Sequence, residues 1–94
     1  MSFPVSVLRA AHGHSSGHRD EIAVSKICGC FYCETVFVRE QIEGWLAEGS
    51  GTALCPNCTI DSVIGSASGF PVEDPAFLAA MHAHWFERVV HAAN

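Results

Sequence analysis

The chain has 94 residues, 49% of them hydrophobic and 16% charged, with a formal net charge of −5 at pH 7. That length makes one domain near the lower limit for self-sufficient folding, where a metal or a partner chain commonly reinforces a small core, and the apolar content excludes a disordered tail. No apolar run approaches the roughly 18 residues of a membrane span, and the five basic residues, Arg9, Arg19, Lys26, Arg39 and Arg88, form no stripe for phosphate backbones, so nucleic acid is disfavoured as a partner.

The first residues, Met-Ser-Phe-Pro-Val-Ser-Val-Leu-Arg, lack a charged start followed by a long apolar stretch, so no secretory signal is expected and the compartment read from the sequence is cytoplasmic. Pro4 precedes a short apolar-periodic stretch (Val5, Val7, Leu8), and His12-Gly13-His14 follows. Residues 1–14 therefore read as a flexible, loosely held arm with one helical turn, and residues 15–94 as a single zinc-binding domain. Ser15 or Ser16 can N-cap a helix with Asp20 and Glu21 in its first turns, where carboxylates suit the positive end of the dipole. Ile22 and Ala23 face inward in this helix, which Gly29 breaks inside a cysteine cluster.

Cys30-Phe31-Tyr32-Cys33 and Cys55-Pro56-Asn57-Cys58 are two Cys-x-x-Cys pairs separated by 21 residues. Each pair folds into a tight turn that aims two sulfurs at one point, and the segment between them returns the second turn to complete a tetrahedron. In a reducing compartment such cysteines read as metal ligands more readily than as disulfides. The expected ligands are Cys30, Cys33, Cys55 and Cys58 around one structural Zn2+, and loading would leave the protein two charges more negative. A thioredoxin-like redox pair fits poorly, because it opens a helix in a βαβ context. Iron in the same sulfur cage stays open, since geometry alone does not separate it from zinc. Cys28 reads as a buried or half-exposed free thiol, against the alternative of a swapped ligand or a thiol made reactive by the metal. Phe31 and Tyr32, at the tip of the first knuckle, either form an exposed contact surface or pack against the metal cage.

Beyond that knuckle, Thr35-Val36-Phe37-Val38 has the composition of a short strand. Val38, Ile42, Trp45 and Leu46 fall at i, i+4, i+7 and i+8, the spacing of an amphipathic helix with Glu40, Gln41 and Glu43 outward. Gly44 weakens that helix by about 1 kcal/mol relative to Ala, and Gly49 and Gly51 end it. Thr52-Ala53-Leu54 reads as a second strand delivering Cys55. Residues 59–64 make a helical turn or a strand stopped by Gly65, and a Gly/Ser loop continues through Gly69 and Pro71. Asp74 is an N-cap with Pro75 at the first helical position. Phe77, Leu78, Met81, Trp85 and Val89 then form one apolar stripe, and predicted helices outnumber strands. Trp85 and Phe86 point to adjacent faces, which offers one of them to a partner chain, with a homodimer through the C-terminal helix as one outcome.

No catalytic constellation stands out. There is no nucleophile elbow, no phosphate-binding glycine loop and no His-Glu-x-x-His. A four-thiolate zinc has no open position with which to activate water. His12, His14 and His18 could form a second metal or proton-shuttling site, against the plainer reading of polar residues in a loop and on a helix face, with His18 hydrogen-bonding nearby. His82, His84 and His91 on the last helix read as solvent-facing or capping. Asp61 with a histidine would be needed for a nuclease centre on a treble-clef scaffold, and no Asp-His pair occurs in the chain.

The resulting expectation is a helix-rich α+β domain, stapled by zinc through treble-clef or zinc-ribbon-like knuckles with packed flanking helices. Its function reads as a non-enzymatic interaction module acting on a protein partner. The alternatives are a metal-dependent nuclease or hydrolase, or a nucleic-acid-binding zinc finger.

The stretches Cys28-Gly-Cys-Phe-Tyr-Cys33, Ala53-Leu-Cys-Pro-Asn-Cys58 and Ile60-Asp-Ser-Val-Ile-Gly65 resemble a family of small uncharacterised bacterial cytoplasmic proteins. So do His14-Ser-Ser-Gly-His-Arg19 and the C-terminal Phe77-Leu78, Met81-His82 and Trp85-Phe86. The resemblance covers residues 10–86 and implies the metal-stapled architecture and a cytoplasmic location, but no activity. Two positions depart from the family pattern: Thr59 stands where glycine is usual and Val38 where proline is expected. Glycine after a knuckle relieves a positive-φ turn, so Thr59 bears on how tight the second turn is.

Overall fold

The computed structural model describes residues 3–87. The chain runs through α1 (Val5–His12), α2 (Arg19–Ala23), β1 (Ile27–Cys30), β2 (Val36–Val38), β3 (Trp45–Leu46), β4 (Thr52–Ala53), β5 (Val63–Gly65) and α3 (Pro75–His82). Short 3-10 turns occupy Arg39–Gln41 and Ser66–Ser68, and a π-helical turn, Ala83–Glu87, extends α3. The result is the expected α+β architecture. One antiparallel sheet has the order β2-β1-β5, and β3 pairs with β4 in a second. Among the described residues no helix is long and apolar enough to cross a membrane.

The central strand β1 sorts the core by its period of two. Cys28 and Cys30 face a cluster that also holds Ile22, Phe37, Ala53, Cys55 and Val63. Ile27 and the neighbouring Ile64 of β5 belong instead to a second cluster, built from α1 and α3 through Leu8, Phe77, Leu78 and Met81. Gly29 lies under α3: a Cβ there would sit 2.6 Å from the Val72 carbonyl oxygen and 3.1 Å from Leu78 Cδ2. Glycine is thus required for close approach in the middle of β1, where the sequence suggested a helix stop.

Several local expectations hold. Asp74 Oδ1 accepts the Ala76 N–H at 2.9 Å, Pro75 opens α3, and Phe77, Leu78 and Met81 are buried. The strands expected near residues 35–38 and 52–54 form at Val36–Val38 and Thr52–Ala53. In residues 59–64 the strand alternative holds only at the end of the segment: β5 begins at Val63 and, as expected, stops at Gly65, its last paired residue. Val89, His91 and Arg88 lie outside the described residues.

Others do not. The segment read as an arm with one helical turn contains the eight-residue α1, with Leu8 and Ala11 buried. Neither Ser15 nor Ser16 is the N-cap of α2, a position that His18 holds. Ser15 Oγ donates to the His12 carbonyl at 2.7 Å and so closes the end of α1. Helix α2 has only five residues, Ala23 is exposed, and Ile22 alone turns inward. It ends early because the buried Ser25 hydroxyl donates to the Glu21 carbonyl at 2.8 Å and accepts the Ala67 N–H at 2.9 Å. That turns the chain into a strand paired on both sides.

The amphipathic helix expected from Val38 to Leu46 is absent. After the 3-10 turn at Arg39–Gln41 the backbone is extended, and Trp45 pairs with Ala53. Gly44 makes the helix weak, its carbonyl takes the Leu54 N–H at 2.9 Å, and Ile42 and Trp45 reach the cysteine-containing cluster from an extended chain. The helical spacing was real, but the same residues bury better in a hairpin. The Arg19 guanidinium lies 4.3 Å from the centre of the Trp45 ring, a contact that favours this arrangement.

His18 ties α2 to β4. Its Nδ1 lies 2.6 Å from the His14 carbonyl oxygen and can only donate there, so Nε2 accepts the Ala53 N–H at 2.9 Å. Both partners fix one neutral tautomer. Burial, the largest influence, holds its pKa below the ordinary 6.5, and a second ring proton would face the Ala53 N–H. The unfolded chain therefore binds this proton more readily than the folded one. Stability from His18 is complete above the unfolded value of 6.5 and is lost as pH falls through the lower folded value. The urea midpoint is expected to drop as pH falls from 6.5 through that lower value, with a flatter profile in His18→Gln. Parallel profiles would rule out His18 as the source.

Candidate metal centre

Strand β1 delivers Cys30 at its last position, and β4 ends two residues before Cys55. Both turns then close in the same way. The Cys30 N–H donates to the Thr35 carbonyl at 3.0 Å, and the Cys55 N–H donates to the Ile60 carbonyl at 3.0 Å. The residue after each second cysteine has a left-handed backbone: φ is 63° at Glu34 and 65° at Thr59. Two dissimilar sequences thus build the same knuckle twice, facing each other.

The four sulfurs lie within 4.8 Å of one another. Cys30 Sγ is 3.7 Å from Cys58 Sγ, and Cys33 Sγ is 3.7 Å from Cys55 Sγ. A tetrahedral site with metal–sulfur bonds of about 2.3 Å has an edge of about 3.8 Å, whereas a disulfide would bring two sulfurs to about 2.05 Å. All five cysteines are free thiols, and four of them have the spacing of a tetrahedral metal cage. The group could hold a metal ion.

Its surroundings also suit thiolates. The Asn57 N–H and the Cys58 N–H point at Cys55 Sγ, at 3.3 and 3.5 Å. The Asn57 side-chain amide donates to Cys33 Sγ at 3.5 Å and to the Thr35 hydroxyl at 3.3 Å. Burial pushes the Cys30 and Cys58 thiols up from their ordinary range. Burial would raise Cys33 too, but its hydrogen bonds with Thr35 and Asn57 outweigh it and bring that thiol down to about 6. Thiols that burial keeps protonated become thiolates once a cation balances them.

Cys28 stands apart. It lies outside the four-sulfur group, is fully buried on β1, and burial pushes its thiol up to about 11, with nearby Arg39 opposing. This is the plain free-thiol reading. Of the knuckle-tip aromatics, Tyr32 is 43% exposed, as the contact-surface alternative has it, whereas Phe31 at 2% exposure packs in the helical cluster and not in the one that holds the cysteines. Trp85 and Phe86 both pack on their own chain. The Trp85 indole N–H donates to the Leu8 carbonyl at 3.3 Å, and the Phe86 ring meets Tyr32 edge-on at 4.9 Å. Helix α1 on one side and the first knuckle on the other accommodate the adjacent faces.

The N-terminal histidines are not brought together. The His12 ring stacks on Trp85 at 4.0 Å, His14 Nδ1 meets the Glu21 carboxylate at 2.9 Å, and His18 bridges two backbone groups. Among the described residues the cysteine group is the only set of three or more side chains placed to hold a metal. On the last helix, His82 Nδ1 lies 3.2 Å from the Phe31 carbonyl oxygen, and Nε2 lies 3.4 Å from the Glu87 carboxylate. Asp61 is exposed and pairs with no histidine among the described residues. Asn57 and Thr35 escaped the sequence reading, although an amide-bearing residue inside a Cys-x-x-Cys turn is a legible signal for a sulfur donor.

The left-handed turn at Thr59 has a measurable consequence. A β-branched residue at φ 65° carries a steric cost of about 1–2 kcal/mol that glycine avoids. Thr59→Gly is expected to stabilise the metal-loaded protein by about 1 kcal/mol, less the entropy glycine adds to the unfolded chain. A rise in melting temperature of a few degrees checks this; a fall would mean that the Thr59 hydroxyl, which donates to the Cys58 carbonyl, outweighs the strain.

Compared with family models, with curated proteins and with solved structures, the chain matches none.

Proposed function

We propose that this chain is a zinc-binding interaction module of the cytoplasm, in which Cys30, Cys33, Cys55 and Cys58 hold one structural Zn2+ and the surrounding surface engages a protein partner. One observation carries the reading: two knuckles supply four convergent sulfurs at tetrahedral spacing. Such a set fills every position of a zinc ion, and nothing is left to bind or activate water. The five free thiols suit a reducing compartment. The acidic balance favours a protein surface over a phosphate backbone.

Elemental analysis of the purified protein tests this directly. One equivalent of zinc is expected in the wild type and in Cys28→Ser. Loss of metal from Cys28→Ser would put Cys28 in the ligand set. A second equivalent removed by His12→Ala or His14→Ala, with the fold intact, would favour a hydrolytic site. Binding to DNA or RNA that weakens steeply with salt would favour a nucleic-acid finger.

A further inference from the structure

Beside the first knuckle a cleft of about 380 Å³ opens between the end of α1, the segment entering β5 and the π-helical turn. Its polar lining includes His12, Ser16, Asp61 and Ser62, and its aromatic lining is Phe31, Trp85 and Phe86. These residues come from four separate stretches of chain.

Ser62 is the informative member. It is only 3% exposed, and its backbone carbonyl is committed to the Phe31 N–H at 3.0 Å. Its hydroxyl has no hydrogen-bond partner among the described residues. Yet no side-chain oxygen sealed from solvent lacks a partner, so this hydroxyl must reach open space, and the cleft is the space its residue lines. A hydroxyl on a nearly buried residue that opens onto a cavity is fixed in place and available to a guest there. The Asp61 carboxylate likewise forms no ion pair among the described residues, and the His12 ring is held in place by its stack on Trp85.

Charge and donor–acceptor balance select the ligand. None of the four described basic side chains, Arg9, Arg19, Lys26 and Arg39, lines the cleft, so among the described residues its one fixed charge is the Asp61 carboxylate. An anion would meet that carboxylate with no cation of the described lining to offset it. A purely apolar guest would desolvate Asp61 and Ser62 without replacing their bonds. A carboxylate accepts only, and hydroxyls can accept, so the site is rich in acceptors. The aromatic walls suit both an apolar stem and the face of a cation. We propose that this cleft binds an organic cation, a guanidinium or ammonium group on a short apolar stem, paired to Asp61 with the Ser62 hydroxyl as its inner acceptor. The proposal goes beyond the module reading and depends on the metal only through the fold. The cation's source is either a partner protein's arginine or lysine side chain or a free small amine.

The test is an amide-resolved NMR titration of the metal-loaded protein with n-butylguanidinium, its neutral isostere n-butylurea and a capped Gly-Arg-Gly tripeptide. n-Butylguanidinium is expected to give saturable shifts at Asp61, Ser62 and the Trp85 indole, with a Kd on the order of millimolar. n-Butylurea should bind about tenfold more weakly, and Asp61→Asn should weaken n-butylguanidinium about tenfold at unchanged metal content. If the tripeptide binds more tightly than n-butylguanidinium, the cation belongs to a partner's side chain; if more weakly, to a free small molecule. Both outcomes sustain the site. No saturable shift, shifts elsewhere, or equal affinity for the guanidinium and the urea would overturn it. The comparison of these two probes uses the wild type alone and stands even if Asp61→Asn does not fold.

Discussion

Removing the metal with a chelator is expected to unfold the domain, with loss of amide dispersion, and not merely to loosen two turns. Cys30 and Cys55 are fully buried, and with Cys28 they make up three of the seven residues of one core cluster. Without a cation, the thiol hydrogens and any residual thiolate charge must be accommodated in that cluster, and the metal bonds that would join the two knuckles are lost. Structural zinc contributes about 10–16 kcal/mol of apparent binding energy in small peptide domains, as much as the whole stability of a typical domain. Cys55→Ser should behave like the chelated protein. Circular dichroism and amide dispersion before and after chelation decide the matter. An apo protein with native dispersion and an unchanged melting temperature would show that the hydrophobic clusters suffice.

Phe31→Ala is expected to cost about 3–5 kcal/mol, the usual range for removing a buried phenylalanine, while Tyr32→Ala next to it costs less than about 1 kcal/mol. Phe31 stands between two candidate ligands but packs with Leu8, Ile64, Phe77 and Met81, and its ring lies 5.8 Å from that of Phe86. It joins the metal knuckle to the helical half of the core. Tyr32 is 43% exposed, and its ring meets those of His82 and Phe86. Urea unfolding of the metal-loaded variants should show a lower midpoint at unchanged slope for Phe31→Ala. Equal costs at the two positions would mean that the knuckle tip is not anchored through Phe31.

These contrasts show what a linear sequence can reveal. The knuckles were legible because a Cys-x-x-Cys turn is local, and α3 was legible because Asp74 and Pro75 act within one turn of chain. The helix expected over Val38 to Leu46 was a sound periodic pattern overridden by partners far along the chain: Ala53 pairs with Trp45 and Arg19 covers its ring. The early end of α2 rests on Ser25 and Ala67, 42 residues apart. Burial of Phe31 against exposure of Tyr32 depends on which side of the knuckle the helices pack, and neighbouring residues cannot state that. The cleft could not be read at all, since His12, Ser16, Asp61 and Trp85 are brought together only by the fold.

The central claim is that four thiolates close the metal's coordination. X-ray absorption at the zinc edge of the purified protein measures this most directly. The account predicts a first shell of four sulfurs at about 2.3 Å with no lighter scatterer. A shell containing nitrogen or oxygen would contradict it, because an open or histidine-bound position would return catalysis to the metal itself.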